Sequence, residues 1–206
     1  MGKLEVNKKA KEDSLLVTAY KLFTTKGVTA TSVSDIAHSA GVGKGTFYLY
    51  FKDKYDLKNR LVAKHSSRLF RTAAAELEAS GKKLDFKEKM IFIIDSILNQ
   101  LNDNQALLTF ISKNLIWGIF KNALTSHTQA DELDFMDIYN QMIADAHGHI
   151  NEPEVMIFMI TELISSTCYS AILYKEPVSL EELKPYLYQS ISDIIDRHMA
   201  DEVSGN

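Results

Sequence analysis

The chain has 206 residues and a mass of 23.2 kDa, with 46% hydrophobic and 24% charged residues, which excludes intrinsic disorder and fits one large domain or two small ones. Only 9 Gly and 3 Pro interrupt it, so long helices are the default, and a single cysteine, Cys168, excludes an internal disulfide and a thiolate zinc site. Charge is unevenly placed: residues 1–70 hold 13 Lys/Arg against 6 Asp/Glu and residues 71–206 hold 10 against 21, which points to an anionic partner at the N-terminal end. No apolar run follows Met1-Gly2-Lys3-Leu4-Glu5, so a cytoplasmic location is expected.

In chain order, Leu15, Leu16, Ala19, Tyr20, Leu22 and Phe23 recur at helical spacing and predict a first helix from about Lys8 to Lys26, stopped at Gly27. Ser32-Val33-Ser34-Asp35 fits the S-x-x-D capping pattern of a second, short helix that ends at Gly41, with Ile36 and Ala37 on its buried face. A third helix runs from Gly43 to Tyr50. Asp53 is a plausible N-cap for a long fourth helix to residue 79, and Ser80-Gly81-Lys82-Lys83 is the clearest break mid-chain. Asp85 to Leu101 reads as a helix, and residues 103–127 and 131–147 supply two or three more. Pro153 suits the first turn of a helix reaching Tyr174, and Ser179-Leu180-Glu181-Glu182 caps a last helix to His198, which Pro185 shortens or kinks. No strand alternation and no internal repeat is seen. The expected fold is all-α.

The stretch Thr31–Phe51, TSVSDIAHSAGVGKGTFYLYF, consists of a capped short helix, a glycine turn and a second short helix, the helix-turn-helix arrangement whose second helix enters the DNA major groove. Gly43-Lys44-Gly45-Thr46 puts small residues at the start of that second helix, where backbone can approach a phosphate. Lys44 can neutralise a phosphate or donate to a guanine edge, Thr46 and Tyr48 add hydroxyls, and Lys52, Lys54 and Lys58 extend the positive surface. Val33, Ile36, Ala37, Val42, Phe47 and Phe51 are expected in the core.

The stretch Ser14–Leu57 resembles the DNA-binding domain of the TetR (tetracycline-repressor-like) family of transcriptional regulators. The match rests on A-x-x-L-F (Ala19, Leu22, Phe23) before Gly27, T-S-V-x-D-I-A-x-x-A-G-V (Thr31–Val42), K-G-T-F-Y-x-Y-F (Lys44–Phe51) and K-D-K-x-x-L (Lys52–Leu57). Gly43 stands where the family often has Ser or Thr, so the recognition helix loses a side-chain cap. The resemblance implies DNA contacts from Ser32 and Ser34, from Lys44, Gly45, Thr46, Tyr48 and Leu49 on the recognition helix, and from Tyr50 and Lys54. It also implies a helix-turn-helix domain over 1–52 and a helical effector-binding and dimerisation domain over 53–206, bridged by the helix 53–79. The implied function is a homodimeric repressor that binds a palindromic double-stranded DNA operator and is released by a small molecule.

Two heads must sit about 34–36 Å apart on a palindrome, so helices 153–174 and 180–198 are the expected dimer surface, with Phe158, Ile160, Leu163, Ile172, Leu187, Ile191, Ile194 and Ile195 as candidates. Phe110, Leu115, Trp117, Phe120, Phe135, Tyr139, Met142, Met159, Cys168 and Tyr169 could line an effector pocket, and Glu162, if inside it, would favour a cationic ligand. The apolar run Val155–Tyr174 has membrane-spanning length, but Glu162 at its middle favours a buried or interface helix in a protein with no membrane partner. No metal or cofactor is expected: His147 and His149 fit histidines capping a helix C-terminus better than a metal set with His127 and Asp131, and Gly41-x-Gly43-Lys44-Gly45-Thr46 is not a phosphate loop. Without an acid–base pair, and with Cys168 far from any base, an enzyme is not expected. The alternative reading keeps this fold as a protein-partnered regulator or interaction module without a small-molecule ligand.

Overall fold

The computed structural model describes residues 3–112, 135–144, 146 and 149–200. Among these, the helices are α1 (Lys3–Thr25), α2 (Val33–Ser39), α3 (Lys44–Tyr48), α4 (Lys54–Ser80), α5 (Phe86–Asp103), α6 (Gln105–Ser112), α7 (Phe135–Ala144), α8 (Pro153–Leu173) and α9 (Leu180–His198). The fold is all-α. One short antiparallel bridge joins β1 (His149–Ile150) to β2 (Met199–Ala200). No alternating pattern announces so short a pairing: it forms because β1 precedes α8 and β2 follows α9, whose antiparallel packing brings those ends together.

Helix ends follow the local chemistry. α1 begins at Lys3, earlier than expected, because residues 3–12 contain no Gly or Pro to stop it. It ends where Gly27, at φ +85, donates its N–H to the Phe23 carbonyl at 3.1 Å. Capping boxes start α2 (Ser32 with Asp35), α5 (Asp85 with Glu88) and α9 (Ser179 with Glu182). Pro185 sits inside α9, close enough to its start that one lost hydrogen bond leaves the helix unbroken to His198.

The described residues divide into two compact units. The first holds α1–α3, α4 up to His65 and α6 from Thr109; the second holds α4 from Ser66, α6 up to Leu108, and α5, α7, α8 and α9. In the first unit, Leu15, Ala19, Phe23, Ile36, Ala37, Phe47, Phe51, Leu57, Leu61 and Val62 are buried. Val33 and Val42, expected in that core, are only half-buried. The Phe110 ring meets Tyr20 edge-on at 5.4 Å and stacks on Phe23 at 6.4 Å. Phe110 is therefore packed into this N-terminal core.

Lys54 holds the α1–α2 turn. Its Nζ donates to the carbonyls of Val28 (2.9 Å), Thr29 (3.1 Å) and Thr31 (2.9 Å), which uses all three ammonium hydrogens. The buried Thr31 hydroxyl donates to the Gly27 carbonyl at 2.8 Å. The phosphate contact expected of Lys54 is corrected by these bonds, which leave the ammonium no hydrogen to give away.

In the second unit, α5 runs antiparallel to both neighbours. Ser96 Oγ donates to Glu76 Oε2 at 2.5 Å and Gln100 Nε2 to the Leu69 carbonyl at 3.2 Å, tying α5 to α4. Lys87 pairs with Asp196, Tyr188 donates its hydroxyl to Asp95, and Lys184 reaches Asp95 at 3.0 Å and Asn99 at 2.7 Å, tying α5 to α9. Burial pushes the Asp95 carboxyl up, but the hydrogen bonds from Tyr188 and Lys184 outweigh it and hold it below its ordinary value. Burial, then Asp95, pushes the Tyr188 phenol up. Ile160, Ile172, Leu187, Ile191 and Ile195, expected on a dimer face, are buried within the protomer. Their helical spacing marked an apolar stripe, and intramolecular helix packing covers it.

Lys54→Met leaves three carbonyls without their donor, so it should cost about 1–2 kcal/mol, discounted for partial exposure, and lower the melting temperature in the absence of DNA. A melting temperature equal to that of the wild type would mean that Lys54 has no structural role. For Asp95, whose folded pKa is depressed, the stabilisation is present above the unfolded value and lost as pH falls through the folded one. Asp95→Asn should therefore melt lower at pH 7 yet lose less stability than wild type between about pH 5 and pH 2, as read by circular dichroism. Parallel pH curves for the two proteins would contradict the network.

Candidate nucleic-acid interface

The interface is built on a glycine turn. α2 ends at Ala40, Gly41 takes φ +70, its N–H bonds the His38 carbonyl at 3.1 Å, and the Val42 N–H bonds the Ala37 carbonyl at 3.0 Å. This pair of bonds is a Schellman closure, and the left-handed conformation at Gly41 is one that a side chain would strain. The turn delivers the chain to Gly43, the N-cap of α3, which has extended backbone and no side-chain hydrogen bond. The missing cap is the one the sequence leads one to expect. The Thr46 N–H closes the first turn onto the Gly43 carbonyl at 2.9 Å.

α3 is anchored by one residue. Phe47 is fully buried, its ring 5.5 Å from Phe51 and 5.4 Å from Tyr48. Around it the remaining side chains point outward: Tyr48 is 52% and Leu49 79% exposed, and Lys44 and Gly45 are exposed as well. Thr46 and Tyr50 are half-buried. Among the described residues, Lys44 Nζ, Thr46 Oγ1, Tyr48 OH, Tyr50 OH and Ser34 Oγ have no hydrogen-bond partner, so their donors and acceptors are open. A Cβ built on Gly45 meets nothing within 4 Å, so nothing inside the protein requires glycine there.

The other expected contacts are partly committed. The Ser32 hydroxyl accepts from the Asp35 N–H at 3.0 Å and donates to Asp35 Oδ2 at 2.8 Å, so Ser32 serves first as a cap. Bonds from the Ser32 backbone and hydroxyl hold the Asp35 carboxyl below its ordinary value. At the start of α4, Asp53 Oδ1 accepts from the N–H groups of Tyr55 and Asp56, both at 2.8 Å, which confirms it as the cap. Tyr55 was not singled out from the sequence. It is exposed, with Lys54 Nζ 5.5 Å and Lys58 Nζ 5.9 Å from its ring, and the K-D-K spacing around it was the available signal. What this surface offers is a short convex helix with open hydroxyls, an ammonium and an apolar tip. Such a set suits base edges and phosphates.

Among the described residues, those expected around an effector lie in several local settings. Phe110 lies in the first unit. Tyr139 is buried in the second, with its hydroxyl donating to the Pro153 carbonyl at 2.7 Å. Met142 lines a cleft of about 460 Å³ together with Leu84, Lys87, Lys89, Asp196 and Met199. Met159 is exposed on a groove formed with Leu163, Asp193, Ile194 and Arg197. Tyr169 is half-buried and meets Tyr174 edge-on at 6.1 Å. Cys168 is buried, which pushes its thiol up to about 11. Glu162 is exposed, so it cannot select a cationic ligand from inside a pocket. Leu115, Trp117, Phe120, His127, Asp131, His147 and the Phe135 side chain lie outside the described residues.

The sequence profile described as bacterial regulatory proteins, tetR family, matches residues 15–61. The chain is 26% identical over 183 residues to an HTH-type transcriptional regulator of Staphylococcus aureus (strain MSSA476), covering 87% of this chain and 91% of that one. The fatty acid degradation regulator FadR of Bacillus halodurans superposes with a TM-score of 0.62 at 18% identity, covering 88% of this chain and 94% of its own. FadR of Thermus thermophilus, a TetR-family transcriptional repressor solved in complex with lauroyl-CoA, gives 0.59 at 15% identity over 95% and 98%. At these identities the structural likeness carries the fold alone. Together with the helix-turn-helix geometry, the profile match shows a TetR-family DNA-binding domain over residues 15–61, and the chain as a whole is similar to HTH-type transcriptional regulators and shares the fold of TetR-family proteins.

Proposed function

We propose that the protein is a cytoplasmic, homodimeric repressor that binds a palindromic operator through α3 and is released by an apolar or amphipathic small molecule. The observation that carries the DNA-reading part is the outward set on and just after α3: Lys44, Tyr48 and Leu49 are exposed around the buried Phe47, and the Lys44 ammonium and Tyr48 hydroxyl are unpartnered among the described residues. Lys44 and Tyr48 are the phosphate or base-edge contacts, Leu49 suits a thymine methyl, and Gly45 lets the α3 backbone come close to DNA. Ser34, Thr46 and Tyr50 contribute hydroxyls at the margin.

The dimer reading is supported by what remains uncovered on α8. Val155 is 44% and Met159 45% exposed, Phe158 is exposed beside them, and only 33% of the most apolar stretch of this helix is buried in the protomer. An isologous contact over this stripe, Leu163 and Ile194 would cover it and pair two heads. The effector reading is supported by the family and by the lauroyl-CoA found in the Thermus thermophilus neighbour, which is an amphipathic ligand of the kind proposed. Release requires that the ligand bind the two dimer conformations with different affinities.

The test is fluorescence anisotropy of the purified protein on DNA from upstream of its own gene, beside scrambled DNA of the same length. Wild type should prefer the upstream DNA, and Tyr48→Ala should lose about 1–3 kcal/mol of that preference while keeping the wild-type melting temperature. Gly45→Ala should melt slightly higher, since an interior helical glycine costs about 0.5–1 kcal/mol, yet bind DNA more weakly. Selective binding retained in both variants would remove α3 from the interface.

A further inference from the structure

α1 extends well past the core that it serves. Its first buried side chain is Leu15, and every residue from Glu5 to Lys11 is exposed. This stretch buries no side chain of its own and is held as a helix by continuity with the rest of α1. The point where it leaves the core is defined: Ser14 Oγ donates to the Ala40 carbonyl at 3.3 Å. That carbonyl belongs to the α2–α3 turn, immediately before Gly41 and close in sequence to the Gly43 N-cap of the recognition helix. From there Lys3–Asp13 reaches about 16 Å at 1.5 Å per residue.

Its charges are sorted. The two acids next to the core are neutralised by α4, Glu12 with Arg60 at 3.5 Å and Asp13 with Lys64 at 3.6 Å. Lys8, Lys9 and Lys11 form no ion pair or hydrogen bond among the described residues, and all three are exposed. At 100° per residue they fall within about 160° of arc; Glu5 and Glu12 share that arc, and with Glu12 paired to Arg60 three lysines remain there against one acid. The two acids next to the core are thus turned to partners in the protein, while the three lysines have none among the described residues.

We propose that the N-terminal extension of α1 is a second DNA-contacting element, in which Lys8, Lys9 and Lys11 neutralise backbone phosphates flanking the base pairs read by α3. The inference rests on the DNA-binding reading above. Phosphates are the favoured partner because the basic residues of the chain concentrate in this N-terminal third, on the same unit as α3. The extension reads no sequence. It adds affinity and salt dependence equally to operator and non-operator DNA.

The experiment compares full-length wild type with the K8Q/K9Q/K11Q variant by anisotropy at a series of salt concentrations, on upstream and scrambled DNA with long flanks. The variant should bind both DNAs more weakly, by roughly tenfold or more at physiological salt, with the preference between them unchanged. The slope of log affinity against log salt should fall by about 0.9 for each phosphate that the variant no longer neutralises. Hydroxyl-radical protection should shrink at the flanks and persist over the half-sites. Because the three side chains are exposed, the melting temperature should match wild type, and a deletion of residues 2–9 should reproduce the weaker binding. Selective wild-type binding with an unaltered slope and footprint in both variants overturns this inference alone. Failure of the wild type to bind DNA overturns both it and the regulator reading, and a melting temperature lowered in both variants would make the extension a structural element instead.

Discussion

The burial of Phe47 is what the functional surface depends on. α3 comprises only Lys44–Tyr48, far shorter than a helix that stands alone in water, and Gly43 gives it no side-chain cap. Phe47, held against Phe51, fixes the helix by its middle. Helical geometry then aims Lys44, Gly45, Tyr48 and Leu49 away from the core. Fold and function therefore meet at one side chain: the residue that closes the first unit also orients the residues proposed to read DNA. A polar group at that position would remove the anchor and the aim together.

Lysine shows how far local context decides a role. Lys44 and Lys54 lie close in sequence, and both fit a basic surface facing phosphates. Lys54 falls within reach of three turn carbonyls and becomes a structural bolt for the α1–α2 turn. Lys44 sits on the exposed face of α3 with no such neighbours. In the second unit charge is used differently again: Lys184, Asp95, Asn99 and Tyr188 knit α5 to α9.

The helix-turn-helix was legible because it is local. The S-x-x-D cap of α2, the left-handed glycines at 27 and 41 and the cap of α4 at Asp53 are set by residues within a few positions of one another, and each formed as expected. The Asp85–Glu88 cap obeys the same rule and could have been recognised in D-x-x-E. Contacts between distant segments were not legible. The apolar spacing of Ile160, Leu187, Ile191 and Ile195 is the same whether the stripe faces a partner or the protomer's own helices, and only tertiary packing separates these cases. The packing of Phe110 was hidden for the same reason, because its partners Tyr20 and Phe23 lie far away in the chain. The β1–β2 bridge is a product of two helix ends meeting and has no pattern of its own.

In the proposed dimer, two identical heads, each aimed by Phe47, read one stretch of DNA together. Selection of bound sequences from a random DNA pool by the purified protein tests it most directly. An inverted repeat should emerge, with half-site centres about one helical turn, 34–36 Å, apart or a multiple of it. A single unrepeated motif would contradict the paired heads, and a pool without enrichment would contradict sequence reading by α3.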